Sequence, residues 1–168
     1  MFADAHVSIA AEPFDSPDAT ALRAELAADL ERRYGHDSEP GEKPTAASVA
    51  LFLVARDGAG QAVGCGGLRA IEPGVFEIKR MYVRDEARGT GIGRRLLESL
   101  EQHAAALGAR RLLLEAGIEQ PEAIDLYERA GYRPVPCFGP YAGAERSRCY
   151  GRDLDAARVA AARDTHGT

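Results

Sequence analysis

Metal-binding and disulfide signals are scarce in this 168-residue chain. Its three cysteines (Cys65, Cys137, Cys149) and four histidines (His6, His36, His103, His166) are scattered, and none shows the paired spacing of a zinc site. No metal centre is expected, and the odd, unpaired cysteines read as reduced thiols of a cytoplasmic protein. No apolar run is long enough to span a bilayer, so no membrane partner is expected. The opening MFADAHVSIA has neither a basic n-region nor an apolar h-region, which predicts no export signal. Positive charge is short as well: 21 Lys and Arg against 26 Asp and Glu leave a net charge of −5. That balance argues against general nucleic-acid binding and confines any anion site to a local cluster. Internal repeats and domain linkers are missing too.

What remains is a globular composition, with 45% hydrophobic and 28% charged residues, on a length that fits one domain with a sizeable core. Residues 6–14 have a β-like core ending at a proline. Residues 16–35 predict a helix: Ser16 suits the N-cap, Pro17 the first turn, Asp18 the dipole, and Gly35 the close, while Leu22, Leu26 and Leu30 recur at i+4. Residues 36–47 are a polar Pro/Gly loop, long enough to be either a substrate-facing segment or an ordinary surface loop. Strands follow at 48–56, 61–71 and 75–83 with tight turns between them, forming an antiparallel meander. After Gly93 the period changes: Ile92, Leu96, Leu100 and Leu107 share one helical stripe, closed by Gly108. A buried strand at 109–117, a short helix at 120–132, a short strand around 132–135 and a last strand at 146–154 complete the order β α β β β α β α β β. The fold class is α/β (α+β), with a mixed sheet carrying helices on its faces.

The stretch RGTGIG, Arg88 to Gly93, places glycines at alternate positions between a strand and a helix, with Arg94 and Arg95 directly after. Glycine weakens regular structure, so such a cluster implies an unusual backbone angle or close approach by a ligand. The first turn of a helix presents unpaired N–H groups and the positive end of the dipole, and glycines there let an anion reach the amides. The loop reads as a phosphate cradle. A Walker A loop needs Gly-Lys-Ser/Thr, which does not follow Gly93. The dinucleotide fingerprint needs a third glycine where Arg94 stands; Glu115 is placed for its ribose acid, but Glu77, Lys79 and Arg80 are foreign to the apolar parallel strand that fingerprint follows.

The remaining pattern, Arg/Gln-x-x-Gly-x-Gly/Ala, is met by Arg88, Gly91 and Gly93. With IKRMYV before it and AIDLYERAGY after it, the sequence resembles the GNAT superfamily of N-acetyltransferases over roughly residues 6–154. The resemblance implies a single-domain GNAT-like fold, with a mixed, mostly antiparallel central sheet flanked by helices, over residues 1–154, and a C-terminal tail over 155–168. It implies acetyl-CoA as cosubstrate and no metal. By position, the amides of Gly89, Thr90, Gly91, Ile92, Gly93 and Arg94 would hold the pyrophosphate, with Arg88 adding charge. The family's fourth strand is bulged, and the apolar positions Ile78, Met81 and Val83 break strict alternation as a bulge requires. The main chain of Met81, Tyr82 and Val83 would then pair with the pantetheine arm. Gln120 stands where the family often has an asparagine reaching that arm. Tyr127 matches the tyrosine that protonates the leaving thiolate.

For the base that takes a proton from the acceptor, Glu77 on the bulged strand is the first candidate and Glu115 the second. His103 reads as a structural histidine. The segment PCFGPYAGAERSRCY resembles the C-terminal part of a bacterial GNAT subgroup, where Phe138 and Tyr141 would line the acceptor pocket or simply pack the loop; Cys137 and Cys149 read as buried thiols. The function implied is transfer of the acetyl group to a primary amine by direct attack in a ternary complex, with a small molecule favoured over a protein as acceptor. A non-catalytic module that senses CoA or another phosphate ligand is the second reading. Monomer and homodimer both stay open.

Overall fold

The structure, a computed structural model, describes residues 6–35 and 40–155. After the first strand, β1 (Ser8–Ala11), Ser16 accepts the Ala19 N–H at 3.2 Å and starts helix α1 (Pro17–Tyr34). Gly35, at φ 78°, ends it by returning its N–H to the Glu31 carbonyl. Then come β2 (Leu51–Arg56), β3 (Ala62–Glu72), β4 (Val75–Val83), a 3-10 turn at Asp85–Ala87, α2 (Ile92–Ala106), β5 (Arg111–Gly117), α3 (Pro121–Arg129), β6 (Arg133–Pro134), a second 3-10 turn at Gly139–Tyr141 and β7 (Ser147–Asp153). The element order is the expected one. The strand expected from residue 48 starts at Leu51 instead, because Thr45 and Ser48 close a local turn through their backbone and hydroxyls. The tail expected over 155–168 lies almost wholly outside the described residues. No helix among the described residues is long and apolar enough to cross a membrane.

The strands form one sheet in the order β1-β2-β3-β4-β5-β7-β6, and only the β4–β5 pair is parallel. Alternation along β2 divides the core. Leu53 and Ala55 join the larger cluster with Leu96, Leu97 and Leu100 of α2 and Tyr127 of α3, whereas Phe52 and Val54 lie under Ala19 and Leu22 of α1. Helices therefore cover both faces of the sheet.

Two irregularities in β4 shape everything that follows. Its ladder with β3 slips: Lys79 pairs with Gly67 and Tyr82 with Cys65, so Arg80 and Met81 together oppose Gly66. Arg80 has φ 59°, a left-handed conformation uncommon for a side-chain-bearing residue. The parallel ladder with β5 runs from Val75–Arg111 to Ile78–Leu114 and stops, although β4 continues to Val83 and β5 to Gly117. The two strands part at their C-terminal ends.

One cysteine expectation needs correction. Cys137 and Cys149 form a disulfide, leaving Cys65 as the free, buried cysteine among the described residues. The pair was hidden because β7 returns antiparallel beside the loop that carries Cys137, bringing the two Cα atoms to 5.1 Å.

Candidate active site

At one end of the gap sits the glycine loop. Gly89 (φ 75°) and Gly91 (φ 86°) are in conformations that other residues resist, and nothing lies within 4 Å of where their Cβ atoms would be. Gly93 is close-packed instead: a Cβ there would meet Leu126 Cδ2 at 3.3 Å. Gly91 is the N-cap of α2 and brings no side chain to its amides, while the Thr90 hydroxyl donates to the Ala87 carbonyl at 2.5 Å. The first backbone bond of α2 runs from the Arg95 N–H to the Gly91 carbonyl, so the amides of Ile92, Gly93 and Arg94 have no acceptor among the described residues. Arg88 braces the loop: its Nε donates to the Val83 carbonyl at 2.9 Å and its Nη1 lies 2.6 Å from Asp85 Oδ1. Arg94 is paired with Glu98, and Arg95 donates to the Val7 carbonyl. The free donors of the loop are thus main-chain groups, as a phosphate cradle requires.

At the other end is a cavity of about 590 Å³, walled by α1, residues 40–44, β4 from Glu77 to Met81, the end of β5, α3 and the turn at Tyr141. Tyr127, 5% exposed, lines it together with Glu115 and Gln120. Burial, and then the charge of Glu115, push the Tyr127 phenol above its ordinary value of 10.0, which keeps it protonated at neutral pH. Its hydroxyl has no hydrogen-bond partner among the described residues. The Gln120 side-chain oxygen accepts the Gly117 N–H at 3.1 Å, which engages it in shaping the β5–α3 connection. Tyr34 reinforces that connection by accepting the Glu119 N–H at 3.0 Å. Met81, Tyr82 and Val83 follow the bulge on the edge that faces the gap; Tyr82 and Val83 pair with β3 on their other side.

Glu77 is fully buried and held from several directions. Arg69 Nη2 donates to its Oε1 at 2.6 Å, Tyr141 Oη donates to its Oε2 at 2.8 Å, and Lys79 Nζ lies 3.8 Å from Oε2 while donating to Tyr141 Oη at 2.5 Å. Phe138 packs edge-on against Tyr141, ring centroids 5.3 Å apart. His103 uses Nδ1 against the Ser99 carbonyl in its own helix, and Cys65, whose thiol burial pushes up to about 12, lies under α1. Sequence reading gave no role in the site to Arg69, Lys79, Arg23 and Arg146, although Lys79 lies in IKRMYV and Arg146 in PCFGPYAGAERSRCY. Arg69 was within reach: β3 and β4 form a hairpin whose register sets Arg69 opposite Glu77.

The comparisons with known proteins agree with this architecture. The sequence model of the acetyltransferase (GNAT) family matches residues 16–132. The IAA acetyltransferase of Azospirillum brasilense is 50% identical over 91 residues, covering 54% of this chain and 59% of that protein. The uncharacterized N-acetyltransferase YjgM of Escherichia coli K12 is 30% identical over 109 residues, covering 63% of this chain and 60% of that protein. The chain thus spans about three fifths of the length of these curated relatives. A crystal structure from Klebsiella pneumoniae, classed as an acyl-CoA N-acyltransferase, superimposes with a TM-score of 0.79 at 33% identity, covering 90% of this chain and 100% of that one. A family structure from Elizabethkingia anophelis with acetyl-CoA bound shares the fold at TM-score 0.65 and 17% identity, covering 88% of this chain and 98% of that one. The chain belongs to the acetyltransferase (GNAT) family.

Proposed function

We propose that the chain transfers the acetyl group of acetyl-CoA to a primary amine by direct attack in a ternary complex. The observation that carries this reading is the parting of β4 and β5 between an uncapped helix N-terminus and a cavity lined by Tyr127, Glu77 and Glu115. On this reading the amides from Gly89 to Arg94 hold the pyrophosphate, and the free edge of Met81, Tyr82 and Val83 pairs with the pantetheine arm. Arg88 serves by fixing the loop to the end of β4. Gln120 shapes the neighbouring turn.

The amine nitrogen attacks the thioester carbonyl, a main-chain N–H on the bulged strand polarises the developing oxyanion, and the carbon–sulfur bond breaks. Tyr127 delivers its proton to the leaving sulfur and is reprotonated from solvent. The proton lost by the amine goes to a carboxylate, directly or through water. We place that role at Glu115 in preference to Glu77, because both Glu77 oxygens already accept hydrogen bonds from Arg69 and Tyr141. Glu77 then organises the cavity wall.

The test is thiol release from acetyl-CoA in the presence of a broad amine panel, with product identified by mass. Acetylated amine with stoichiometric CoA is the expected result. Tight acetyl-CoA binding with no turnover on any amine would overturn the transferase reading and favour a CoA-sensing module.

A further inference from the structure

The cavity wall is cationic in a chain whose net charge is −5. It draws Arg23 from α1, Lys43 from the loop after it, Lys79 and Arg80 from β4, and Arg146 from the segment before β7. Its acidic members are Glu31, Glu77 and Glu115, fewer than its cations, and Glu77 is already matched by Arg69 and Lys79. Arg23 is unlike a surface arginine. Its Nη2 donates to the Phe14 carbonyl at 3.0 Å and to Thr20 Oγ1 at 3.3 Å, and its guanidinium lies 3.7 Å from the centre of the Phe14 ring. These contacts fix the group without neutralising it: no carboxylate forms an ion pair with Arg23 among the described residues, and its Nε is buried with no hydrogen-bond partner. Burial, and then the nearby charge of Arg80, lower its pKa. A buried donor without an acceptor is costly, and two neighbouring guanidiniums repel. Both penalties are relieved by one anion.

We propose that the acceptor amine carries a carboxylate, and that Arg23, with Arg80 beside it, binds that carboxylate. Resting on the N-acyltransferase reading, this narrows the substrate class to amino-acid-like molecules. Arg146, exposed at the cavity and without an ion-pair partner among the described residues, adds attraction for the same charge.

The bulge gives the pairing its geometry. Arg80 stands on the left-handed residue of β4, directly before Met81 at the gap. An amine whose carboxylate is held at Arg23 and Arg80 therefore lies on the segment where the thioester is expected. A neutral amine of the same length would leave the Arg23 Nε without an acceptor.

The experiment compares kcat/KM for amino acids and their matched carboxamides, which share the amine and differ in the charge, in wild type, Arg23→Met and Arg146→Gln. A charge-assisted hydrogen bond to arginine predicts a carboxylate preference on the order of 10- to 100-fold. That preference should fall toward one in Arg23→Met and fall less in Arg146→Gln, a surface change that keeps the fold. Equal turnover of acids and amides overturns the proposal. So does an Arg23→Met variant that loses acetyl-CoA affinity by the same factor, which would assign the charge to the cosubstrate. Binding of N-acetylglycine and N-acetylglycinamide to the CoA-loaded protein, by calorimetry, gives a readout independent of turnover. Tighter binding of the acid is expected, and equal binding overturns the pocket. No turnover of any amine alongside acid-selective binding would overturn the transferase reading alone.

Discussion

Gly91 offers the sharpest test of the phosphate cradle, because two substitutions there separate backbone strain from charge. The residue sits at φ 86° with open space where a Cβ would be, so Gly91→Ala introduces conformational strain and no clash. The left-handed conformation costs about 1–2 kcal/mol for an L-residue, and in a domain of this size that lowers Tm by roughly 2–8 °C. Gly91→Asp carries the same strain and adds a carboxylate beside the amides of Ile92, Gly93 and Arg94. A unit charge at about 5 Å from a phosphate, at an effective dielectric of about 20, repels it by roughly 3 kcal/mol. The same carboxylate can also accept the amides itself. Gly91→Asp should therefore bind acetyl-CoA at least ~100-fold more weakly than Gly91→Ala, at a similar Tm. Calorimetry with acetyl-CoA and a thermal melt of each variant supply both numbers. Equal affinities in two folded variants would refute the assignment of the loop.

Other substitutions probe the chemistry and the scaffold. Tyr127→Phe should keep acetyl-CoA binding and lower kcat by on the order of 100-fold; because burial raises this phenol above 10.0, no alkaline fall in wild-type kcat should arise from it below that pH. Glu115→Gln should lower kcat/KM at neutral pH with a deficit that shrinks as free amine becomes available, whereas Glu77→Gln should raise KM and lower Tm with little change of pH profile; the reverse pattern would return the base to Glu77. Glu101, 2% exposed, accepts two bonds from Arg152 Nη1 and one from Tyr132 Oη. Glu101→Ala should destabilise by about 3 kcal/mol, a Tm loss of roughly 6–12 °C, and a loss under 2 °C would show the network to be dispensable.

The parts of this protein that could be read from its sequence are those whose cause is local. Ser16, Pro17 and Gly35 bound α1 because caps and left-handed closes are decided within a few residues. The residues of β4 were bounded at 75 and 83, and its bulge was visible as a break in alternation, since a period of two leaves that mark in the sequence itself. The residues that answer one another across the sheet were not legible. Glu77 looked like an available base because Tyr141 lies 64 positions away and reaches it through a loop of no fixed period. Arg23 carries no mark in the sequence; its packing on Phe14 and its place in the cavity wall distinguish it. The Cys137–Cys149 pair was obscured for the same reason.

The distortion of β4 is specified by both strands of its hairpin. A Cβ at Gly66 would lie 2.7 Å from the Met81 sulfur and 2.9 Å from Leu100 Cδ1, so the Met81 side chain fills the space that the glycine opposite the bulge leaves. A larger residue at 66 would press on Met81 from β3 and on α2 at the same time. Arg80 meanwhile holds a left-handed angle that costs about 1–2 kcal/mol, a strain that persists only where surrounding structure over-determines it. The consequence is positional. A regular β4 would extend its ladder with β5 past Ile78 and close the gap. It would also turn Arg80 by one place in the alternation, away from its present relation to Arg23. One extra residue in the strand therefore opens the edge proposed for the acyl donor and sets the charge proposed for the acceptor. That coupling explains why a strained backbone is retained at the centre of an otherwise well-paired sheet.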